Sequence, residues 1–564
     1  MANGLFGGGT GILGDPYLIE DAADLDAVRN NLSAHYLQVA DIDCSSWGDF
    51  TTLYGIQGIF EEDAFGGSYN GQQYRVSNIN IVPLLGDTWT VALFGATRDG
   101  CLIKNVTLEN VNINIESTQY GGLWGLLVGR SWNESQDLLI ENCHVDGNIS
   151  CEDQTSIVSL FGGLMGSCGI DGPFTTTIRG CTSKVYIDIR TDDSRRLGGL
   201  IGDIGGGYAG GKVIIEDCYA ELEIAEYEWP TYSEWSSGPR SIGGLVGMAM
   251  GGFHIRRCKA NAKIFGGGSM GLLVGLIYSL DFDDKDIGTT AQFIEKCHAF
   301  GTINGYPHIN TFQTLPHYYF SRWAGGLVGS IWAYRNEEPL ELRESIRITD
   351  CYARGSIYLH NLEVWDDPFG SAWPPETGTF VGYYDSWYNY LTVTNCYSDV
   401  SITIDELHTS RDATSSFVAV EEYIYFNEYP EYIDKVKFEI NNCYYNSELI
   451  QYPVLIDTGT PLTTAQMKYK FSYNNWDFQT IWGIKLINDG YPYFQWQILN
   501  THNDGYPYLL WELGEAPPPL PDGWSLPNQI PQITTPTGTK QTSAILAKVD
   551  GVWELITKVY NNIS

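Results

Sequence analysis

Basic residues are scarce in this chain: 32 Lys and Arg stand against 68 Asp and Glu in 564 residues, a formal net charge of −36. Phosphate repulsion opposes the electrostatic term behind most nucleic-acid binding, so nucleic acid is excluded as a main partner. Long apolar runs are missing as well. No stretch approaches the roughly 18 residues of a membrane-spanning helix, so no membrane insertion is expected. Met1 to Tyr17 lack the basic segment and apolar core of a secretory signal, and none is expected. The 3.6-residue periodicity of amphipathic helices is also thin, which excludes helical solenoids. What is present is 43 % hydrophobic residues, enough for a sizeable core, and 63 glycines. That composition excludes disorder over most of the chain.

Twelve cysteines would suit a disulfide framework, but their placement argues otherwise. Eight follow an Ile or Val by three positions: Ile140–Cys143, Ile178–Cys181, Ile215–Cys218, Ile255–Cys258, Ile294–Cys297, Ile348–Cys351, Val393–Cys396 and Ile440–Cys443. Successive gaps are 38, 37, 40, 39, 54, 45 and 47 residues, and a cysteine-free copy sits at Ile103–Val106. Self-similarity at that period marks stacked repeats. Upstream of each Cys lies a glycine-flanked apolar stretch, such as Gly121–Gly125, Gly162–Gly166, Gly198–Gly202, Gly243–Gly247, Gly271–Gly275 and Gly325–Gly329. These degrade later to Gly378–Gly382 and Phe417–Val420. Downstream, residues alternate with period two, as in Cys258, Ala260, Ala262 and Ile264, which is strand patterning. Ile and Cys are an odd number of positions apart, so a corner must separate them. Asn142, Gly180, Asp217, Asn395 and Asn442 suit that turn.

Three short strands per repeat predict one rung of a parallel β-helix, about eleven rungs in all. In-register stacking at about 4.8 Å places each ladder Cys above the next, as a small core residue rather than half of a bridge. Reduced core thiols favour folding in a cytoplasm.

The glycine stretches followed by Ile-x-Asn/Asp-Cys-Tyr-Ala resemble the GLUG-motif repeats of bacterial and phage surface proteins. The lead-in Gly11–Tyr17, Ala22–Leu32, Ala40–Asp43 and Phe65–Gly71 resembles the usual start of such arrays. Pro461–Met467 with Trp476–Phe478, Trp482 and Tyr491–Tyr493 resembles the usual end. The resemblance covers about residues 10–513. It implies an all-β, right-handed, single-stranded parallel β-helix. It leaves function open, because the motif occurs in adhesins, accessory regions of surface proteases and virion proteins.

The expected organisation is an N-terminal arm (1–16), a cap with first rungs (17–100), the repeat helix (101–459), a C-terminal cap (460–513), a Pro-rich linker (514–539) and a terminal β-hairpin (540–564). Asp21–Leu32 fits an amphipathic capping helix presenting Leu25, Val28 and Leu32, and Thr463 fits the N-cap of a second. The Asn-Asp-Gly-Tyr-Pro-Tyr unit at 488–493 recurs at 503–508. Asp550-Gly551 signals the hairpin, whose Trp553 and Tyr560 would anchor the chain to another subunit. This tail resembles the small C-terminal ends of some phage structural proteins.

Motifs for chemistry are poor. Gly206–Gly211 before Lys212 has Val213 where a P-loop needs Ser or Thr. Gly267–Gly271 around Ser269 spells a nucleophile elbow but enters a strand. Asp281, Asp283, Asp284 and Asp286 crowd one loop as a weak calcium candidate without the spacing of a calcium-binding loop. No cofactor is expected. Two aromatic sets are better candidates for glycan or receptor contact. One is the outward residue after each ladder Cys, including Tyr219, Tyr352, Tyr397 and Tyr444. The other sits in insertions expected at one corner: Tyr227, Trp229, Tyr232 and Trp235; Tyr318, Tyr319 and Trp323; Trp365, Asp366, Asp367 and Trp373. The expected function is therefore a non-enzymatic phage virion protein, structural or adhesive, that binds a host-surface glycan or protein and other virion subunits. A homotrimer is one open assembly. The alternatives are a polysaccharide-degrading tailspike using carboxylates such as Asp366, Asp367, Glu228 and Glu234, or an adhesin on a bacterial cell surface.

Overall fold

The computed structural model describes residues 6–53, 64–83, 90–115, 122–151, 159–189, 195–208, 211–226, 239–280, 292–305, 323–334, 345–359, 376–385, 390–404, 414–420, 438–450 and 457–478. Beyond these it describes 480–483, 503, 506–509, 512, 532–535, 538–541, 545–549 and 552–556. The chain divides into two units, one of Met1–Met467 with Ser472–Asn474, the other of Lys468–Phe471 with Asn475–Ser564.

The first unit is a parallel β-helix. Among the described residues its strands stack into four sheets, of twelve, fourteen, nine and nine strands. One turn runs through Val128–Asn133, Leu138–Glu141, His144–Cys151 and Ser159–Gly162, each paired in parallel with its equivalent in the next turn. We call the sheet of Leu138–Glu141 the Ile sheet and that of His144–Cys151 the Cys sheet. The Ile sheet stacks twelve strands from Tyr17–Ile19 to Phe438–Asn441, one more than the expected eleven rungs.

Nine successive turns among the described residues have four strands, not the expected three. The glycine-flanked stretch is not one strand but the fold-back between two, which we call the first and second leaf. Ser159–Gly162 ends at a bend over Gly163 and Leu164, and Met165–Asp171 follows. Register also corrects the first copy: Gly125, not Gly121, pairs with Gly162, and Val128 pairs with Met165. The stacked motif there is Gly125-Leu-Leu-Val-Gly129.

The corner between Ile and Cys strands is uniform. Asn105, Asn142, Gly180, Asp217, Arg257, Lys296, Asp350, Asn395 and Asn442 all have φ between +49° and +63°. Asn, Asp and Gly tolerate this left-handed region, whereas a bulky side chain pays about 1 kcal/mol or more. Arg257 offsets that cost by pairing with Asp217 one turn away (Nε–Oδ1 2.6 Å). Asn side chains stack across turns, Asn105 donating to Asn70 (3.0 Å) and Asn442 to Asn395 (3.3 Å).

The turn places Ile and Cys together in the core, where Ile140, Ile178, Ile215, Ile255, Ile294 and Ile348 are fully buried. All twelve cysteines are buried and unbridged. The backbone N–H groups of Cys258, Cys297 and Cys351 donate to the sulfur of the next ladder Cys at 3.3–3.4 Å. Burial pushes the thiols of Cys101, Cys143, Cys218, Cys258, Cys297 and Cys396 above their ordinary range, so the reactive thiolate is suppressed at those six, and burial closes all twelve to reagents in solution. A thiol reagent should therefore label almost none of the twelve cysteines in the folded chain and all twelve in guanidinium. Rapid labelling of several in native buffer would place the row outside the core.

The ends are closed by short helices and loops. Asp21 caps the helix Ala22–Ala27 by accepting from Ala23 and Asp24 N–H, and Leu25 and Val28 are buried beneath it. Phe6 stacks on Tyr17 at 4.4 Å, and Gly7 N–H donates to Leu18 O at 2.9 Å along the first strand. At the other end Thr463 and Gln466 form a capping box on Thr464–Met467, each side chain accepting from the other's N–H (3.2 and 2.8 Å). Thr458 closes the last second-leaf strand, its hydroxyl accepting from Val418 N–H at 2.8 Å.

In the second unit Trp482–Gly483 pairs antiparallel with Tyr508–Leu509, and Trp476 stacks on the buried Trp482 at 4.2 Å. Ile545–Val549 pairs with Val552–Ile556, with Val549 opposite Val552. Gln532–Thr535 pairs with Gly538–Gln541, so the stretch expected as an extended linker over 514–539 carries a second hairpin at its end.

Candidate functional site

The two leaves of each turn fold onto one another, and the flanking glycines make this possible. A Cβ on Gly275 would lie 2.5 Å from Gly247 O and 2.6 Å from Ile242 N and C, all backbone. A Cβ on Gly166 would meet Trp124 N at 2.5 Å. With no side chain at these points, side chains on the facing sides of the leaves meet across the fold. Ser269 Oγ lies 2.7 Å from Ser330 Oγ, and Arg196 Nη1 lies 2.7 Å from Asp203 Oδ1. Asp203 is buried, and burial raises its carboxyl above the usual range although Arg196 pulls it down.

At the open end of this arch the seam is aromatic. Trp323 begins its first-leaf strand, Trp332 is near the end of the next strand, and their rings are 4.6 Å apart, edge to face. Tyr383 of the following turn completes the triad at 4.9 Å from Trp323 and 5.5 Å from Trp332. Tyr278 pairs in register with Trp332, so another ring stands one turn back. Both Trp rings are half-buried and Tyr383 is buried. The contact between Trp323 and Trp332 brings the start of the first leaf beside the end of the second.

Insertions were expected at a single corner. Segments 227–238, 306–322 and 360–375 do precede first-leaf strands, but 281–291, 335–344 and 421–437 follow second-leaf strands. Asp281, Asp283, Asp284 and Asp286 therefore belong to the second set. They lie outside the described residues, as do Tyr227, Glu228, Trp229, Tyr232, Glu234, Trp235, Tyr318, Tyr319, Trp365, Asp366, Asp367, Trp373 and Tyr560. Trp553 lies in the strand Val552–Ile556. Of the insertion aromatics, Trp323 is thus the one the structure places. No group of three His, Cys, Asp or Glu among the described residues is arranged to hold a metal.

The ladder after the cysteines requires a correction. Tyr219, Tyr352, Tyr397 and Tyr444 stack one per turn on the face opposite the thiols, as alternation requires. That face is not an open platform. His298, Tyr352, Tyr397 and Tyr444 are buried, with Tyr352 stacked flat on Tyr397 at 5.0 Å and 3°. Tyr473 packs edge-on against both Tyr397 and Tyr444, and Asn474 N–H donates to the Tyr444 hydroxyl at 2.8 Å. Tyr219 is half-buried beneath the Lys259 ammonium, 5.2 Å from its ring. Beside the stack, Arg354 Nε donates to Asp399 at 3.2 Å, and Asn446 donates to the same carboxylate at 2.7 Å. This face serves closure.

The carboxylates of the Ile sheet are likewise occupied. Glu216 is buried and accepts from Arg256 Nε at 2.6 Å, with Arg179 Nη1 at 3.6 Å and Arg257 Nη2 at 3.5 Å. His254 lies 3.4 Å from Glu295; burial pulls its imidazole below the ordinary value against that carboxylate. Such partly exposed pairs add about 0–1 kcal/mol each and hold register more than they supply energy.

Sequence reasoning missed Trp332, Tyr383, Arg130 and Trp132. The signal lay one and three positions after the second glycine of each stretch, as in Gly129-Arg-Ser-Trp132, Gly329-Ser-Ile-Trp332 and Gly382-Tyr383. Reading the glycine stretch as one strand hid it.

No family model matches the chain. Halomucin of Haloquadratum walsbyi is 36 % identical over 114 residues, 19 % of this chain and 1 % of that protein. A protein of Evansella cellulosilytica designated a Gly-rich membrane protein is 33 % identical over 140 residues, 24 % of this chain and 16 % of its own length. The chain therefore spans a small fraction of both relatives. Among solved structures, a Bacteroides ovatus protein designated an immunoglobulin A1 protease aligns over 90 % of this chain and 96 % of its own, at 12 % identity and a TM-score of 0.30.

Proposed function

We propose that this chain is a non-enzymatic binding protein of the GLUG-repeat type, whose β-helix presents aromatic side chains at the mouth of the glycine arch to a cell-surface glycan. The observation that supports this is the triad of Trp323, Trp332 and Tyr383, which stands between the departure points of both insertion series. Half-buried indole faces suit the apolar faces of sugar rings, and a rigid coil holds them without ordering cost on binding. The setting we propose is a phage virion, with the C-terminal hairpin joined to another subunit. A bacterial cell surface is the second setting, favoured by the relative designated a membrane protein. A degradative role has less support, since the buried carboxylates Asp203, Glu216 and Asp399 each face a guanidinium.

Trp323→Ala and Trp332→Ala should each weaken binding to a glycan array or to whole cells. A buried aromatic anchor contributes about 2 kcal/mol or more, which is roughly thirtyfold in affinity. Unchanged binding in both variants would remove the triad from the site. Release of reducing ends from capsular or cell-wall polysaccharide by the purified chain would overturn the non-enzymatic reading.

A further inference from the structure

Among the described residues, one half-buried guanidinium has no carboxylate partner. Arg130 lies on the second-leaf strand Val128–Asn133, half-buried, with its guanidinium carbon 4.6 Å from the Trp132 ring. Among the described residues no carboxylate or carbonyl pairs with that guanidinium, although acidic residues outnumber basic ones 68 to 32. Burial alone pulls its pKa down, with no neighbouring charge opposing it. Other guanidiniums on the coil, such as Arg179, Arg196, Arg256, Arg257 and Arg354, reach a carboxylate. A partly desolvated, unpaired Arg costs stability, and sequences usually supply a partner.

The surroundings are shaped for a ligand. Trp132 covers Gly169 of the next turn, where a Cβ would lie 2.3 Å from the indole Cε3. Its Nε1–H donates to Glu134 at 2.6 Å, which fixes the ring. Arg130 is also in register with the small residues Ala96 and Ser167 on either side. The guanidinium thus keeps its five donors while lying over an indole, an arrangement suited to one planar anion beside a sugar ring.

We infer that Arg130 and Trp132 form a subsite for a carboxylated sugar, such as a uronic acid, with the guanidinium taking the carboxylate and the indole taking the ring. The inference rests on the proposed glycan-binding role and names its ligand chemistry. Sulfated sugars offer the same charge without the planar carboxylate.

The test is calorimetry on the full chain with three probes: tetragalacturonate, a κ-carrageenan tetrasaccharide, which carries sulfate esters and no carboxylate, and neutral cellotetraose. Tetragalacturonate should bind the natural chain best, and Arg130→Gln should weaken it tenfold or more while cellotetraose is unaffected. Arg130→Lys should recover only part, because an ammonium lacks the paired donors. Melting temperature supplies the structural control: Arg130→Gln should keep or raise it, whereas a structural role would lower it. Equal binding of tetragalacturonate by Arg130→Gln and the natural chain overturns the inference, as does no binding of tetragalacturonate at millimolar concentration. Preference for the sulfated probe reassigns the subsite to sulfate and overturns the carboxylate. Cellotetraose binding lost with Trp332→Ala, together with equal tetragalacturonate binding by Arg130→Gln and the natural chain, would leave the glycan-binding role standing without this subsite.

Discussion

Gly275→Ala should destabilise the β-helix by about 3 kcal/mol, at the upper end of overpacking penalties. The added methyl has nowhere to go, since Ile242 on the facing leaf and Gly247 on the neighbouring strand of the same leaf present backbone atoms within 2.6 Å. Side chains can swing aside, but here the obstruction is main chain on both sides. Relief would require opening the arch, and the arch is shared with the turns above and below through Val246, Val274 and Val328. Urea unfolding followed by tryptophan fluorescence provides the measurement, and Gly14→Ala the control. A Cβ on Gly14 meets nothing within 4 Å, so that variant should stay within about 0.5 kcal/mol of the natural chain. Equal effects of the two substitutions would refute the close approach of the leaves.

Asp399→Ala should cost a comparable amount, about 3 kcal/mol, for a different reason. Its carboxylate is 9 % exposed and Arg354 is 15 % exposed, so truncation leaves a guanidinium stranded away from water. Asn446 loses its acceptor at the same moment. The double variant Arg354→Met with Asp399→Leu removes both charges and should recover most of the loss, because burying an apolar pair avoids the desolvation cost. Denaturant titration of the three chains decides this. A double variant as unstable as Asp399→Ala would mean that the packing of Arg354 over the Phe300 ring, 5.9 Å from its guanidinium carbon, and not the stranded charge, carries the effect.

These two predictions also separate what the sequence makes legible from what it does not. The period, the parallel coil and the buried thiols follow from Ile-x-x-Cys, because odd spacing with two inward residues forces a corner. Asn142, Asp217 and Asn395 identify that corner by their own chemistry. Arg257 and Lys296 carry no such signal, and their left-handed backbone is visible only because they stand in register with Asn and Gly. The glycine stretch misleads because three residues between flanking glycines, mostly apolar, match a short buried strand. Paired glycines four residues apart, each needing the space of a Cβ, instead report a fold-back. Period two places Tyr352 opposite Cys351 but says nothing of what lies over it, so burial of that face was not readable. The triad was least legible of all. Trp323 and Trp332 meet through the fold-back of one turn, and Tyr383 joins them through pairing with the next turn, which an insertion separates from them in sequence.

The uniform corner has one consequence for how such a chain can vary. Every strand finds its neighbour at the same position one turn on, so His144, Thr182 and Tyr219 occupy equivalent places in consecutive turns. Loss or duplication of a few residues inside a strand would shift the whole register and expose the thiols. Loss or duplication of the interval between one ladder Cys and the next leaves every other pairing intact. Length in this coil is therefore quantised: it grows or shrinks by whole turns, while the segments leaving the arch are free to take any size.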